Sequence, residues 1–472
     1  MAERGTNNSN QQDEGGGLRG SVSRLNIMIA GTAAIIGVIY GYDLGSIASA
    51  ILFLQPDFNL STFMVSVVTA TVVLGQLFGA FNAGRITNWI GRKRTMVGIA
   101  LGYAIFAALQ GLAPNEWFLI GARFLLGFTI GLSIVTAPAY IAESSPRSVR
   151  GSLIVTFQVA TVAGIATAYF VGAALAGLES WRLILSLSAI PALIVLFFII
   201  RLPDTPRWLL MNDRREEALD LVRRVQGDVN PEEEVQSIEE DLAYEEKGSF
   251  LELFQRRFRL AATFVIGLGF LVQITGINAI VYYSPVLITQ VGVEDPFIAI
   301  AVNGLIQLAG VVAVIVSFLV VDRWGRRPTL LTGVGTMSLA NAVLVLSYVL
   351  GTSPVITFIG ILLFVVGFNF GYGSLVWVYA SESFPARLRT QGGSAMLTSD
   401  LLANFIVGVV FLNTLGALGG SVTFGIFLVL AVFSWLFIYW LAPETKGRQL
   451  EEIRRYWYNG AKWPEEVEQA RP

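Results

Sequence analysis

The chain has 472 residues, 54% of them hydrophobic and 14% charged, with a mean hydropathy of +0.64, far from the roughly 25% charged residues of a soluble globular domain. Its formal net charge of -2 offers no global basicity for nucleic acid. It contains no cysteine and no histidine, which excludes disulfides, thiolate or imidazole metal sites, cysteine nucleophiles and any triad built on histidine. No metal or cofactor is expected, and a proton carrier within the membrane has to be a carboxylate.

Residues 1–24 are polar, rich in Gly, Asn and Gln, and lack the apolar core of a signal peptide; they read as a disordered cytoplasmic tail. Gly15, Gly17 and Gly20 have GxGxxG spacing, but no strand precedes them, so they do not make a nucleotide site. Apolar runs of the length that crosses a bilayer as a helix then predict spans over 26–50, 62–84, 95–113, 117–140, 152–176 and 182–201. A second six follow over 259–288, 297–321, 329–350, 354–380, 391–416 and 420–441. The fold class is an all-α polytopic membrane protein with twelve transmembrane helices.

Lys and Arg collect on the cytoplasmic side of membrane proteins. Here Arg85, Arg92, Lys93 and Arg94 lie between spans two and three, and Arg147 and Arg150 between four and five. Arg323, Arg326 and Arg327 lie between eight and nine, and Arg387 and Arg389 between ten and eleven, while the alternate loops are nearly free of basic residues. Both termini are then cytoplasmic. So is the segment 202–258, whose charged pattern from Asp213 to Lys247 reads as short amphipathic helices joining an N-terminal six-helix half, 25–201, to a C-terminal one, 259–441. Residues 442–472 form a second cytoplasmic tail. The central segment, at roughly 55 residues, is too short to bury the core of a catalytic domain, so no enzyme activity is expected.

One carboxylate lies inside the first span, in Tyr40-Gly41-Tyr42-Asp43-Leu44-Gly45-Ser46. A charge in a bilayer is costly and seldom retained without a role or a partner. If the first span leaves the membrane near Ala50, Asp43 lies roughly 10 Å below the outer surface at helical rise. Arg123, six residues into the fourth span from Trp117, lies at roughly 9 Å by the same rise. The two opposite charges arrive at one depth and form a candidate proton-coupling pair.

The halves repeat one another. Gly91-Arg92-Lys93-Arg94 recurs as Gly325-Arg326-Arg327-Pro328, Glu143-x-x-Pro146-x-x-x-Arg150 as Glu382-x-x-Pro385-x-x-x-Arg389, and Pro203-Asp204-Thr205 as Pro443-Glu444-Thr445. An even number of spans per half keeps the repeats in one orientation, the arrangement of an alternating-access transporter with a midplane site. Arg92, Glu143 and Arg150 in one half, with Arg326, Glu382 and Arg389 in the other, are placed to form ion pairs of a cytoplasmic gate.

These motifs, together with Pro206-Arg207-Trp208-Leu209, Gln273-x-x-Gly276-x-Asn278-x-x-x-Tyr282-Tyr283-x-Pro285, Asp322-Arg323, Trp377 and Lys446-Gly447, resemble the sugar porter family of the major facilitator superfamily, over residues 25 to 455. The resemblance implies the major facilitator fold and sugar contacts at Gln158, Gln273, Asn278, Gly373 and Trp377, with Tyr282 at the outer gate and Asn404 near the site. Polar groups and an aromatic face suit sugar hydroxyls and the C–H surface of the ring. It also implies proton coupling, because proton-coupled members carry Asp at the place of Asp43, paired with the arginine of span four.

Three departures bear on the substrate. Val272 stands where the family usually has a first glutamine, Gly310 falls where it commonly has Asn, and Leu401 falls where it often has Trp. Beside Leu401 is Asp400, a second acid roughly 13 Å from the cytoplasmic entry, which reads equally as a water-exposed cavity residue or as a second protonation or substrate contact. Asn88 and Trp89 also replace the Asp and Arg frequent in the loop after span two. The expectation is a monomeric, multi-pass transporter of the cell membrane that imports a monosaccharide, hexose or pentose, or a similar polyol with protons. A uniporter of the same fold, a transporter of a non-sugar solute that uses Asp400, and a sugar receptor are the alternatives.

Overall fold

The structure, a computed structural model, describes residues 24–145, 147–225, 230–245, 249–351, 354–463 and 465. In chain order its α-helices are α1 (Arg24–Asp57), α2 (Thr62–Ile90), α3 (Arg92–Gly111), α4 (Glu116–Ser144), α5 (Arg147–Leu175), α6 (Trp181–Ser186), α7 (Ala189–Ile199), α8 (Pro206–Met211) and α9 (Arg215–Val225). They continue as α10 (Pro231–Glu245), α11 (Arg259–Ile274), α12 (Ile277–Gln290), α13 (Pro296–Trp324), α14 (Arg326–Leu350), α15 (Pro354–Phe370), α16 (Tyr372–Glu382), α17 (Ala386–Leu441) and α18 (Leu450–Tyr458). The N-terminal tail 1–23 and the GxGxxG spacing within it lie outside the described residues.

Among the described residues, ten helical stretches are long and apolar enough to cross a bilayer. The last, Arg387–Leu441, has 55 residues, about 80 Å at helical rise, and its backbone leaves helical geometry at Gly419 (φ 76°, ψ 167°); it is two crossings. The 20 residues of α3 make the twelfth, its apolar character diluted by Arg92, Lys93 and Arg94 at its start. Trp89, Trp117, Trp324 and Trp440, at ends of crossings, are exposed, as interfacial aromatics are.

Three spans expected to be continuous are broken. The sixth divides into α6 and α7, the seventh into α11 and α12 around Gly276 (φ 104°), and the tenth into α15 and α16 at Gly371. Discontinuous helices of this kind line substrate sites in transporters. The first span also runs past the expected end at 50 to Asp57, because Ile51, Leu52, Phe53 and Leu54 continue the apolar face inward.

Small residues bring the crossings together. Gly75 and Gly79 of α2 lie against Gly127 and Gly131 of α4, so closely that a Cβ on Gly75 would stand 2.1 Å from the Phe124 carbonyl oxygen and one on Gly127 would stand 2.0 Å from that of Val72. Both helices carry glycine at i and i+4, the pattern that lets membrane helices approach by van der Waals contact where no hydrophobic drive acts between them.

The repeated motifs build one device twice, at the arginine-rich end. Gly91 (φ 97°) and Gly325 (φ 109°) turn the chain sharply into α3 and α14, a backbone region that favours glycine. Each new helix then presents its first N–H groups to a carboxylate from beyond the sixth or twelfth crossing. Asp204 Oδ1 accepts from the amides of Arg92 at 3.0 Å, Lys93 at 3.2 Å and Thr205 at 3.1 Å. Glu444 accepts from those of Arg326 at 3.0 Å, Arg327 at 3.1 Å and Lys446 at 2.8 Å. A carboxylate here satisfies orphan donors and meets the positive end of the helix dipole. Tyr140 and Tyr379 add a matching bond each, their hydroxyls donating to the carbonyls of Pro203 at 2.8 Å and Pro443 at 3.0 Å.

Between the sixth and seventh crossings, α9 buries Ala218, Leu221, Val222 and Val225 on one face, the spacing of an amphipathic helix. They pack with Trp208, Leu209 and Val235 into a small separate core. After the twelfth crossing, α18 lays Trp457 against Phe264 of α11, ring centroids 5.1 Å apart.

Asp204→Ala or Glu444→Ala leaves helix N–H groups of a partly buried turn unsatisfied, which costs about 1–3 kcal/mol. Each is expected to lower the thermal unfolding midpoint in detergent, while Glu294→Ala, at an exposed loop position, leaves it in place.

Candidate functional site

Asp43 of α1 and Arg123 of α4 stand 3.9 Å apart, Oδ1 to Nη1, with side chains 4% and 0% exposed. Counted from an exit near Ala50, Asp43 lies at the depth of Arg123; α1 instead runs on to Asp57, so equal distance from the helix ends does not hold, yet the two side chains stand side by side. The guanidinium is tied to two further helices: its Nε donates to the Val68 carbonyl of α2 at 2.7 Å and its Nη1 to Gln110 Oε1 of α3 at 3.0 Å. Asp43 Oδ2, Arg123 Nη2 and Gln110 Nε2 are buried and have no hydrogen-bond partner. Phenols surround the pair: Tyr40 on α1, Tyr103 on α3 and Tyr282 on α12 all lie within electrostatic reach of Asp43.

A second polar set lies where the seventh crossing is broken. The turn at Thr275 and Gly276 points Gln273, at the end of α11, and Asn278, at the start of α12, at each other: Asn278 Nδ2 donates to Gln273 Oε1 at 2.8 Å. Gln273 Nε2 then donates to Asp400 Oδ1 of α17 at 3.0 Å. One turn further along α17, Asn404 Oδ1 accepts from the Tyr282 hydroxyl at 3.4 Å. Five of the residues expected at the site, Gln273, Asn278, Tyr282, Asp400 and Asn404, thus form two hydrogen-bonded groups on α11, α12 and α17. Gln158 on α5, Gly373 on α16 and Trp377 on α16 are partly or more fully exposed and do not join these groups by a hydrogen bond; Trp377 is 44% exposed. Tyr40 lies within electrostatic reach of both Asp43 and Asp400.

The empty position at Gly310 has a structural cause. A Cβ there would meet Asn369 Nδ2 at 2.9 Å, so an amide from the end of α15 fills the space beside α13. Val272 and Leu401 are buried in the apolar core.

Away from the arginine-rich end, the first and last six crossings are bonded across their interface. The Tyr169 hydroxyl of α5 donates to the Val281 carbonyl of α12, and Asn413 Nδ2 of α17 donates to Ser66 Oγ of α2 at 3.4 Å. Tyr282, Tyr283 and Ser284 are fully buried there. Among the described residues, the ion pairs of Glu143 with Arg92 and of Arg326 with Asp322 at the arginine-rich end each lie within one half. Glu143 is held by Arg92 through two bonds of 2.9 and 3.0 Å, by the Thr205 hydroxyl at 2.6 Å and by Arg207 at 3.7 Å. Arg326 pairs with Asp322 at 3.5 Å and lies within electrostatic reach of Glu382. Arg389 is exposed, and the side chain of Arg150 lies outside the described residues. Asn88 offers its carbonyl to Trp208 Nε1 at 3.2 Å, while Trp89 points outward.

Sequence reasoning missed Gln110, Tyr40, Tyr103 and Asn369. The signal present was weak: single polar or phenolic groups in apolar runs, without the cost that makes a buried charge conspicuous.

The profile of the family described as "Sugar (and other) transporter" matches residues 29–457. Among curated proteins, the galactose-proton symporter of Escherichia coli strain K12 is 33% identical over 435 residues, covering 91% of this chain and 94% of that protein. The major myo-inositol transporter IolT of Bacillus subtilis strain 168 is 33% identical over 446 residues, covering 90% and 94%. The arabinose-proton symporter of the same organism is 30% identical over 442 residues, covering 91% and 95%. Among solved structures, the xylose transporter XylE from E. coli in a partially occluded inward-open conformation superposes with a TM-score of 0.80 at 22% identity, covering 90% of this chain and all of that one.

Removing one partner of a buried ion pair leaves the other uncompensated, at a cost of about 3–5 kcal/mol. Asp43→Ala is therefore expected to lower the thermal midpoint sharply. The double variant Asp43→Leu with Arg123→Met, which takes both charges out of the core, is expected to recover most of that loss, as tryptophan fluorescence on heating reports.

Proposed function

This chain belongs to the sugar (and other) transporter family, and we propose on that premise that it imports a monosaccharide or a similar polyol together with protons, by alternating access. It is a multi-pass membrane transporter and not an enzyme. We place it in the plasma membrane as a monomer, with the arginine-rich end and both termini in the cytoplasm and no nucleic-acid partner. The observation that carries the proton part is the buried pair Asp43 and Arg123, 3.9 Å apart without a hydrogen bond between them. The names of the relatives support the substrate class.

In this reading Asp43 is the proton carrier. Two unit charges at about 4 Å attract by about 4 kcal/mol at the effective dielectric of a protein, and protonation of Asp43 removes that attraction between α1 and α4. The helices are then free to shift against each other, so that the two halves can rock about the site. Substrate hydroxyls bind between the halves at Gln273 and Asn278, with Gln158, Gly373, Trp377 and Asn404 completing the wall and Tyr282 closing over it. Arg92, Glu143, Arg150, Arg326, Glu382 and Arg389 form and break the cytoplasmic gate. Because Asp400 takes the Gln273 amide, a substrate hydroxyl has to compete with a carboxylate for that donor, which favours solutes presenting several hydroxyls at once.

The test is uptake of labelled galactose, arabinose, xylose and myo-inositol into proteoliposomes with and without an imposed inward proton gradient. Accumulation above equilibrium that requires the gradient is expected for at least one of them. Asp43→Asn is expected to abolish accumulation while retaining exchange at equal concentrations. Gradient-independent equilibration by the wild type would instead make the protein a uniporter. Asn278→Ala removes one hydroxyl partner, worth 1–3 kcal/mol when left unmade, and is expected to raise the half-saturating concentration by about 5- to 150-fold.

A further inference from the structure

Arg123 faces Asp43 and yet does not bond to it. Nη1, the nitrogen 3.9 Å from Asp43 Oδ1, donates to Gln110 Oε1 at 3.0 Å, and Nε donates to the Val68 carbonyl at 2.7 Å. Asp43 Oδ2 and Arg123 Nη2 are buried without partners. One donor and one acceptor that a bidentate pair would join are therefore buried and unjoined, although a bidentate pair is the strongest contact these two groups can make. The side chain that takes this Nη1 is Gln110, one residue from the end of α3 and 1% exposed. A guanidinium carries only donors, so the atom that faces it is the amide oxygen.

We propose that Gln110 is a positioning residue for proton coupling, holding Arg123 short of Asp43 so that the carboxylate can take up and release a proton at working pH. The inference rests on the proton symport through Asp43 proposed above. An arginine that closed to hydrogen-bond distance would stabilise the carboxylate, and protonation would then need a more acid medium. Arg123 is the charged group acting on Asp43. The neighbouring titratable groups are the phenols Tyr40, Tyr103 and Tyr282, with Tyr283 of α12 in reach of Arg123, all uncharged at neutral pH. Of the other helices packed on α1, α5 presents Tyr169, whose hydroxyl is engaged by the Val281 carbonyl, and α6 presents Arg182, which is engaged by Asp57 at 2.8 Å.

Two variants push the pair in opposite directions. Gln110→Leu removes the acceptor and lets Arg123 close on Asp43. Gln110→Glu offers a charged acceptor that holds Arg123 harder and adds a negative charge near Asp43. The readout is gradient-driven uptake in proteoliposomes as a function of external pH, with exchange at equal concentrations as the report on folding and substrate binding. The midpoint of the pH profile is expected to fall by on the order of one pH unit in Gln110→Leu and to rise by on the order of one in Gln110→Glu. A residue that merely packs would lower uptake at every pH and leave the midpoint alone, and that result in both variants overturns the proposal. If Gln110→Leu does not fold, an unmoved midpoint in Gln110→Glu overturns it by itself. A wild type that equilibrates sugar but never accumulates it under an inward proton gradient removes the symport premise, an outcome visible before either variant is made.

Discussion

A charge inside a bilayer costs several kcal/mol unless it is paired or solvated, and this fold places two of them side by side in its first four crossings. Asp43 on α1 and Arg123 on α4 are the pair, but the arginine also bonds to a carbonyl of α2 and an amide of α3. One guanidinium therefore touches every one of the first four helices. That junction is possible only because the backbones approach closely, α2 to α4 through Gly75, Gly79, Gly127 and Gly131. A bulkier residue at any of these positions would move α4, and with it the charge that Asp43 faces.

The opposite requirement, rigidity within each half, is met at the arginine-rich end. Asp204 and Glu444 cap the starts of α3 and α14 in the same way, after the same glycine turn, and Tyr140 and Tyr379 fasten the same prolines. Each half is thus tied from its second crossing to its last by charge-assisted bonds. The contacts between halves are of another kind: tyrosine and asparagine bonds at the other end. Two stiff bodies that meet along an interface of neutral hydrogen bonds and packed side chains, without ion pairs among the described residues, are suited to a rocking motion.

Much of this was legible in the sequence because the chemistry is expensive or repeated. Asp43 and Arg123 stood out as charges in apolar runs, and their pairing was legible from charge, although the helix end from which the depth of Asp43 is counted lies at Asp57 and not near Ala50. The paired motifs announced the internal repeat, although not the reason for it, since Asp204 lies 112 residues from Arg92 in the chain. The breaks at Gly276 and Gly371 were hidden within apolar runs long enough to cross in one piece. So were the partners of the amides: Asp400 was conspicuous as an acid, but its bond to Gln273 spans 127 residues. Gly310 looked like a lost polar contact, and the structure shows the space filled by Asn369 from another crossing. Gln110 gave no sign, because one amide near the end of a span is ordinary until its neighbour is a buried arginine.

The most direct test of the central claim is to count protons as substrate enters. In de-energised proteoliposomes, adding substrate to the outside should draw protons inward with it, seen as alkalinisation of a weakly buffered medium in fixed ratio to sugar uptake, and Asp43→Asn should take up sugar without that signal. Sugar entry with no proton movement in the wild type, or the same proton movement in Asp43→Asn, would contradict the account.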